Sequence, residues 1–361
     1  MTALLPYFAF ILILLPLAYF YLRVGKWQRE SFAIICFILF ACFFGLHGEM
    51  GNDWHHYYST YLCDGWVNVL DFIRIPFSTR MMEPGFVTMM MICRSIGLPF
   101  QGFIFVVALT TGLLLFRFLL HHEANIPLSL ILFFCFGGIE LEINYLRSAF
   151  ALLIFLNAIP YIKGHQPTVF IALIVLCMSF HVSALLYLPC YYLYHRSIPV
   201  KWYAGIMLVG VLLYILQIRL ATYGIYAIDR ILGYNSPIKP FILAEEEYLP
   251  TIPLGAIERT LTALAIILNK DRIEAFSKWA RLFVNSYLVY FVFAFYLWDI
   301  PIINDRFALI FIYVYWLLWP MLPRLIQTRW KQLCIVSAMS IYCGLRLLGI
   351  ITNPLFAYQL F

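Results

Sequence analysis

The stretch Pro167–Tyr194, PTVFIALIVLCMSFHVSALLYLPCYYLY, decides how this chain is organised. A helix crosses the hydrocarbon layer of a membrane in about 20 apolar residues. The stretch is too long for one crossing and too short for two comfortable ones, and it carries His181 near its middle. A tight hairpin turning near His181 resolves the mismatch. Irregular backbone at that depth survives only where protein or a water-filled cavity surrounds it. The reading therefore predicts a polar cavity at the turn.

A second stretch is anomalous in the opposite sense. Phe86–Leu98 is only about half the needed length and ends at Gly97-Leu98-Pro99, so it is expected to dip in and return. Ordinary spans are expected near residues 3–22, 31–46, 101–120, 126–139, 144–162, 201–218, 253–269, 282–298, 306–322 and 332–351. The apolar N-terminus has no basic leader region and no small-residue cleavage site, so it reads as a retained first span.

Basic residues cluster at Arg23/Lys26/Arg29, Arg117 with His121 and His122, Lys163, Arg196/Lys201, Lys270 to Arg281, and Arg324/Arg329/Lys331. Lys and Arg mark cytoplasmic loops. All these clusters fall on one side only if both anomalous stretches turn back. The outer side then receives His47–Glu83, Glu140–Arg147, the His181 turn, Gln217–Thr251 and Trp298–Arg306. We expect a single transmembrane domain over residues 1–361, with outer loops at about 47–84 and 217–252. Trp54, Tyr57, Tyr58, Tyr61, Trp66, Tyr223, Tyr226, Tyr234 and Tyr248 argue that these loops are ordered.

Composition agrees. Hydrophobic residues make up 64% and charged residues 12% of the chain, against about 45–50% and 25% in soluble domains. The net charge of +6 is the excess of cytoplasmic loops, since no basic run accompanies a nucleic-acid-binding motif. No nucleic-acid partner is expected; the bilayer is. Of the nine cysteines, all but Cys63 lie in or beside apolar runs, so no disulfide framework is implied.

Polar residues in apolar surroundings are the functional candidates. Arg147 opens an apolar helix in Glu140-Leu-Glu142-Ile-Asn144-Tyr-Leu-Arg147. An ionisable group there is costly unless paired or hydrated; the bland alternative is an arginine snorkelling to headgroups. Asn144 and Arg147 share a helix face, as do Glu140 and Asn144. His181 suits a base or a hydrogen-bond donor to a phosphate. Glu83 stands at the mouth of the half-length stretch. Asp53, Tyr57 and Tyr61 share one face of a loop helix. Asp53, His55 and His56 are too compressed for a metal site, and none is expected. Asn304 and Asp305 read as helix caps ahead of Arg306, whose charge at a helix start would oppose the dipole unless an anion sat there. Arg230 and the run Glu245–Glu247 read as solvated surface.

In order along the chain, Asp53…Tyr57…Tyr61, Glu83-Pro-Gly, Asn144-Tyr-Leu-Arg147-Ser-Ala-Phe-Ala, Phe180-His181-Val-Ser183-Ala-Leu and Asn304-Asp305-Arg306 resemble the EpsG family of Wzy-like bacterial polysaccharide polymerases. The resemblance implies an all-α polytopic membrane protein, glycosyltransferase-C-like in general plan, with about 10–14 transmembrane or re-entrant helices. It implies transfer of a growing glycan from undecaprenyl pyrophosphate onto a new lipid-linked repeat unit. That reaction would run at the outer face of the bacterial inner membrane, without metal or other cofactor, with a chain-length regulator protein as an accessory partner. Arg147, Arg306 and Asn144 would hold pyrophosphate. Asp53, Glu83 or His181 would serve as base, and Tyr57, Tyr61, Glu142, Ser183, Arg230 and Asp305 would contact substrate. The alternatives are a membrane O-acyltransferase modifying surface glycans, with His181 as its base, and a flippase for the lipid-linked unit, which would favour an internal repeat that the chain lacks.

Overall fold

The computed structural model describes residues 4–62, 82–122, 124–232, 254–277 and 279–360. Cys63, Trp66, Tyr234, Tyr248 and Glu245–Glu247 lie outside the described residues. The protein is an all-α polytopic membrane protein. Among the described residues, five helices are long and apolar enough to cross a membrane, or up to seven if each of two bent pairs is one span. Three shorter apolar helices accompany them. The chain divides into two compact units: Met1–Tyr191 with Leu333–Phe361, and Tyr192–Gln332.

The first unit contains α1 (Leu5–Tyr21), α2 (Lys26–Gly45), the loop helix α3 (Trp54–Leu62), α4 (Pro84–Ser95), α5 (Phe100–His121), α6 (Ile126–Phe133), α7 (Ile139–Ile143), α8 (Leu146–Lys163) and α9 (Pro167–Phe180). Proline in the first turn starts α4, α6 and α9, where its missing N–H costs nothing. Asn125 caps α6 by accepting from Leu128 N–H.

Ring contacts fix the directions. Tyr7 meets Phe43 at 5.2 Å and Arg29 lies over Tyr21 at 5.8 Å, so α1 and α2 run antiparallel. Gly45 faces Phe105 while Gly112 faces Phe40, so α2 and α5 do too. Asn125 donates to Ala18 O while Phe10 stacks on Phe134, which makes α6 antiparallel to α1. Arg23, Lys26, Arg29, Arg117 and Lys163 consequently gather at one end of this unit. Gly45, Glu83, Phe100, Arg147 and Phe180 gather at the other.

Pro167–Tyr194 turns back within its length, whereas Phe86–Leu98 is one unbroken helix that turns only at its end. α4 is only 12 residues long; Gly97 then adopts φ +78° and α5 begins after Pro99, bringing Phe103 to 5.7 Å from Phe86. α9 ends at His181, whose backbone is extended (φ −157°, ψ 123°). A short 3₁₀ turn, Val182–Tyr187, and α10 (Pro189–His195) return the chain until Tyr191 meets Phe170 at 5.5 Å. Phe150 stacks on Phe180 and Phe155 on Tyr187, so α8 backs both arms.

The expected span 126–139 falls in Ile126–Ile143, one of the five stretches long enough to cross, and is kinked within it. Phe136 leaves helical geometry and Gly137 takes φ +82°, a region that favours glycine. The freed carbonyl of Cys135 accepts from Arg346 Nε at 2.6 Å, the kind of substitute partner a break inside a membrane requires.

The second unit contains α11 (Val200–Ile215), α12 (Leu220–Leu232), α13 (Leu254–Phe276), α14 (Ala280–Tyr296), α15 (Pro301–Ile310), α16 (Val314–Leu318) and a 3₁₀ turn, Trp319–Leu325. α17 (Arg329–Ile351) then returns the chain to the first unit. The expected span 201–218 corresponds to α11, after which α12 turns off by 89°, while the expected span 306–322 is bent, the helix from Asn304 turning 48° before Val314.

The α2–α5 contact yields a prediction. A Cβ at Gly45 would sit 2.5 Å from Phe105 Cδ2 and 3.3 Å from its Cα, so Gly45→Val should overpack the pair by about 1–3 kcal/mol. Thermal unfolding in detergent should show a lower Tm, and an unchanged Tm would contradict the packing.

Candidate functional site

The site of the first unit is built around Glu83. This residue precedes α4 at the cap position, yet its carboxylate does not cap its own helix. Oε2 instead accepts from Arg147 Nη1 at 2.7 Å, and Oε1 lies 2.7 Å from His181 Nδ1. The Val182 N–H adds a longer bond of 3.4 Å to Oε1. Three elements thus converge on one carboxylate: the start of α4, the start of α8 and the turn after α9.

Glycine makes the convergence possible. A Cβ at Gly85 would lie 2.7 Å from the Ser179 carbonyl oxygen and 2.9 Å from its carbon. Only the bare Pro84-Gly85 backbone lets α4 begin against the end of α9, which brings Glu83 beside His181.

Electrostatics follow from the geometry. Burial alone would raise the Glu83 carboxyl, but the hydrogen bond from His181 and the charge of Arg147 outweigh it and lower it to about 2. Glu83 is therefore an anion. His181 Nδ1–H donates to it, which leaves Nε2 as the ring's acceptor.

Asn144 organises the adjoining loop. Its Oδ1 accepts from Asp53 N–H at 3.1 Å, and its carbonyl accepts from Tyr57 OH at 3.3 Å. Burial pushes the Tyr57 hydroxyl up to about 12, so it remains a donor. Gly51, at φ +78°, lies so close that a Cβ would sit 3.1 Å from Asn144 Oδ1. These bonds hold the start of α3 against the start of α8, with Asp53 half-buried beside Asn144.

The structure therefore brings together Asp53, Glu83, Asn144, Arg147 and His181, with Tyr57 beneath them and the partly exposed Ser183 on the adjacent turn. It leaves Tyr61 and Glu142 in the packing. Tyr61 is 4% exposed, donates to Leu98 O at 2.7 Å and stacks on Phe103. Glu142 is 2% exposed and accepts from Thr111 Oγ1 at 2.8 Å. Arg230, Asp305 and Arg306 belong to the second unit, and all three are exposed.

The capping expectation around Arg306 needs correction. α15 starts at Pro301, so Asn304 is helical and its side chain donates to Ala294 O at 2.9 Å. Arg306 is not in the first turn, and the expected conflict with the dipole disappears.

Sequence reasoning missed a second buried polar group. In α13, Glu258 accepts from Thr262 Oγ1 at 2.7 Å and from Tyr315 OH at 3.2 Å, while Arg259 Nε donates to Tyr290 OH at 2.9 Å. The signal was present: adjacent charges inside the expected span 253–269.

Two measurements check the site. Because the folded Glu83 carboxyl lies below its ordinary 4.5, it contributes stability that is complete above about 4.5 and is lost as pH falls towards about 2. Glu83→Gln should therefore lower Tm fully near neutrality, and the gap from wild type should close across that acid range; a pH-independent gap would contradict an ionised Glu83. Asn144→Ala should cost about 1–2 kcal/mol and speed amide hydrogen exchange over residues 53–57, while leaving exchange in α5 unchanged.

The EpsG family model matches residues 30–360 of the chain. No curated protein and no solved structure matches it. A family model that spans nearly the whole sequence, including every residue of the Glu83 cluster, places the chain in the EpsG family.

Proposed function

We propose that the protein is a polysaccharide polymerase of the inner membrane that joins repeat units carried on undecaprenyl pyrophosphate. The observation that carries this reading is the Glu83 carboxylate shared by Arg147 and His181. The cluster lies at the end of its unit opposite Arg23, Lys26, Arg29, Arg117 and Lys163. The bias of basic residues to the cytoplasm would put it at the periplasmic or exterior face.

The residues suit the chemistry. The bond to break joins an anomeric carbon to pyrophosphate, and the bond to form joins that carbon to a hydroxyl of the acceptor sugar. His181 Nε2 accepts the hydroxyl proton as the oxygen attacks, while Glu83 holds the ring in the tautomer that leaves Nε2 free. Arg147 spends one N–H on Glu83 and also engages the Tyr57 hydroxyl, and what remains of its fork matches the oxygens of the departing pyrophosphate. The electron pair of the broken bond leaves with that pyrophosphate, whose growing charge the guanidinium stabilises. Asp53 is the second carboxylate at the mouth and the alternative proton acceptor.

The test is a gel of surface polysaccharide from a deletion strain complemented with point variants. Arg147→Ala and His181→Ala should each replace the ladder with single-unit glycan while the protein still accumulates in the membrane. Arg147→Lys should restore little, since a point charge lacks the fork. Ladders of normal length in both alanine variants would overturn the assignment. An acyltransferase would instead keep the ladder and lose an acyl mass, and a flippase would strand units on the cytoplasmic side.

A further inference from the structure

The second unit holds a charged group for which the Glu83 cluster has no use. Arg259 lies in α13, next to Glu258. The C-terminal part of the helix carries Lys270 and Arg272.

The surroundings of Arg259 are aromatic. Tyr287, Tyr290 and Tyr315 meet one another with ring centroids 5.4–5.9 Å apart, and Trp319 joins Tyr315 at 5.5 Å. The polar groups of this nest bond to one another. Trp319 Nε1 donates to Thr262, which donates to Glu258, whose other oxygen accepts from Tyr315 OH. Tyr287 OH donates to the Arg259 carbonyl at 2.8 Å.

Arg259 itself is half-buried at the edge of this nest, where Glu258, Tyr290 and Tyr315 all act on its charge. Its Nε donates to Tyr290 OH, and its guanidinium carbon lies 5.7 Å from the Tyr290 ring centre. Its two terminal amino groups have no acceptor among the described residues, and no carboxylate there forms an ion pair with it. Glu258 is adjacent along the chain, but both its oxygens are already bonded. An arginine held in place through Nε, with no acceptor among the described residues for its terminal fork, is the geometry of a receptor for phosphate oxygens.

We propose that Arg259 is the anchor of a second anion site, one that takes the diphosphate of a lipid-linked substrate. This deepens the polymerase reading and rests on it. That reaction has two substrates of one chemical class, a donor whose diphosphate leaves and an acceptor whose diphosphate stays, and Arg259 supplies a cation that suits such a diphosphate. Tyr287, Tyr290 and Tyr315 make the nest rigid, so Arg259 is positioned before the ligand arrives.

The test is native mass spectrometry of the intact full-length protein in detergent, titrated with farnesyl pyrophosphate as a short polyprenyl diphosphate. Wild type should bind two molecules, Arg259→Gln one, Arg147→Gln one, and the double variant none. Arg259→Lys, the milder change should the glutamine variant fail to fold, should weaken one of the two sites by at least about tenfold, since it keeps charge but loses the fork. Two adducts of wild-type affinity in Arg259→Lys would overturn the site. Loss of one adduct in Arg259→Gln with both kept in Arg147→Gln would leave this site standing and remove the Arg147 clamp. Displacement of the Arg259-dependent adduct by an equal concentration of phosphatidylglycerol would overturn the diphosphate assignment in favour of an ordinary phospholipid headgroup.

Discussion

A buried carboxylate answered by one guanidinium and one imidazole N–H is the constraint on which the first unit depends. Glu83 is 8% exposed, so its charge is tolerable only because Arg147 and His181 answer it. The dependence runs both ways, since removing one member of a buried pair strands the other in a poorly hydrated place. Each partner sits at the end of a different helix. The ion pair and hydrogen bond thus act as a tie among three chain segments that the apolar packing alone would leave free to slide. Gly85 is the steric condition for the tie, because any side chain there meets the Ser179 backbone.

Much of this was legible in the sequence, and for a physical reason. Membrane helices must satisfy their backbone internally, so length and basic-residue position constrain topology more tightly than in soluble proteins. The awkward lengths of Phe86–Leu98 and Pro167–Tyr194 predicted turns, and the turns occur at Gly97 and His181. The same counting grouped Glu83 and His181 with Arg147 and Arg306; the first three meet, whereas Arg306 belongs to the second unit. Tyr61 and Glu142 were not readable in this way. Their spacing gives a helix face, but which face meets a neighbour depends on Leu98, Phe103 and Thr111, which are distant along the chain. Asn304 misled for a related reason: cap residues are recognised by type, and the true start at Pro301 lies too near to separate by pattern.

The two units handle polarity differently. The first collects charge at helix ends, where Glu83, Arg147 and His181 answer one another. The second encloses Glu258 among hydroxyl and indole donors, a network whose members satisfy one another. Such closure gives rigidity, since each bond is stronger away from water and each unmade bond is costlier. The break at Gly137 is a third solution, in which Arg346 from a remote helix supplies the donor that a missing helical turn withheld.

The joining of distant chain segments at the site end has a consequence for biogenesis. Gly48 N–H donates to Gln359 O, Gly51 N–H to Leu355 O, and Tyr7 OH to Phe356 O. Residues 48–51 lead directly into the loop that Asn144 and Asp53 organise. That loop is therefore clasped by residues synthesised about 300 positions later, and at the pace of translation, about 5–20 residues per second, it waits many seconds for its partner. All the helices of the first unit before α17 can be inserted and packed while the mouth of the site still lacks one wall. Such a chain would be membrane-embedded before this loop is closed, so the clasp forms last.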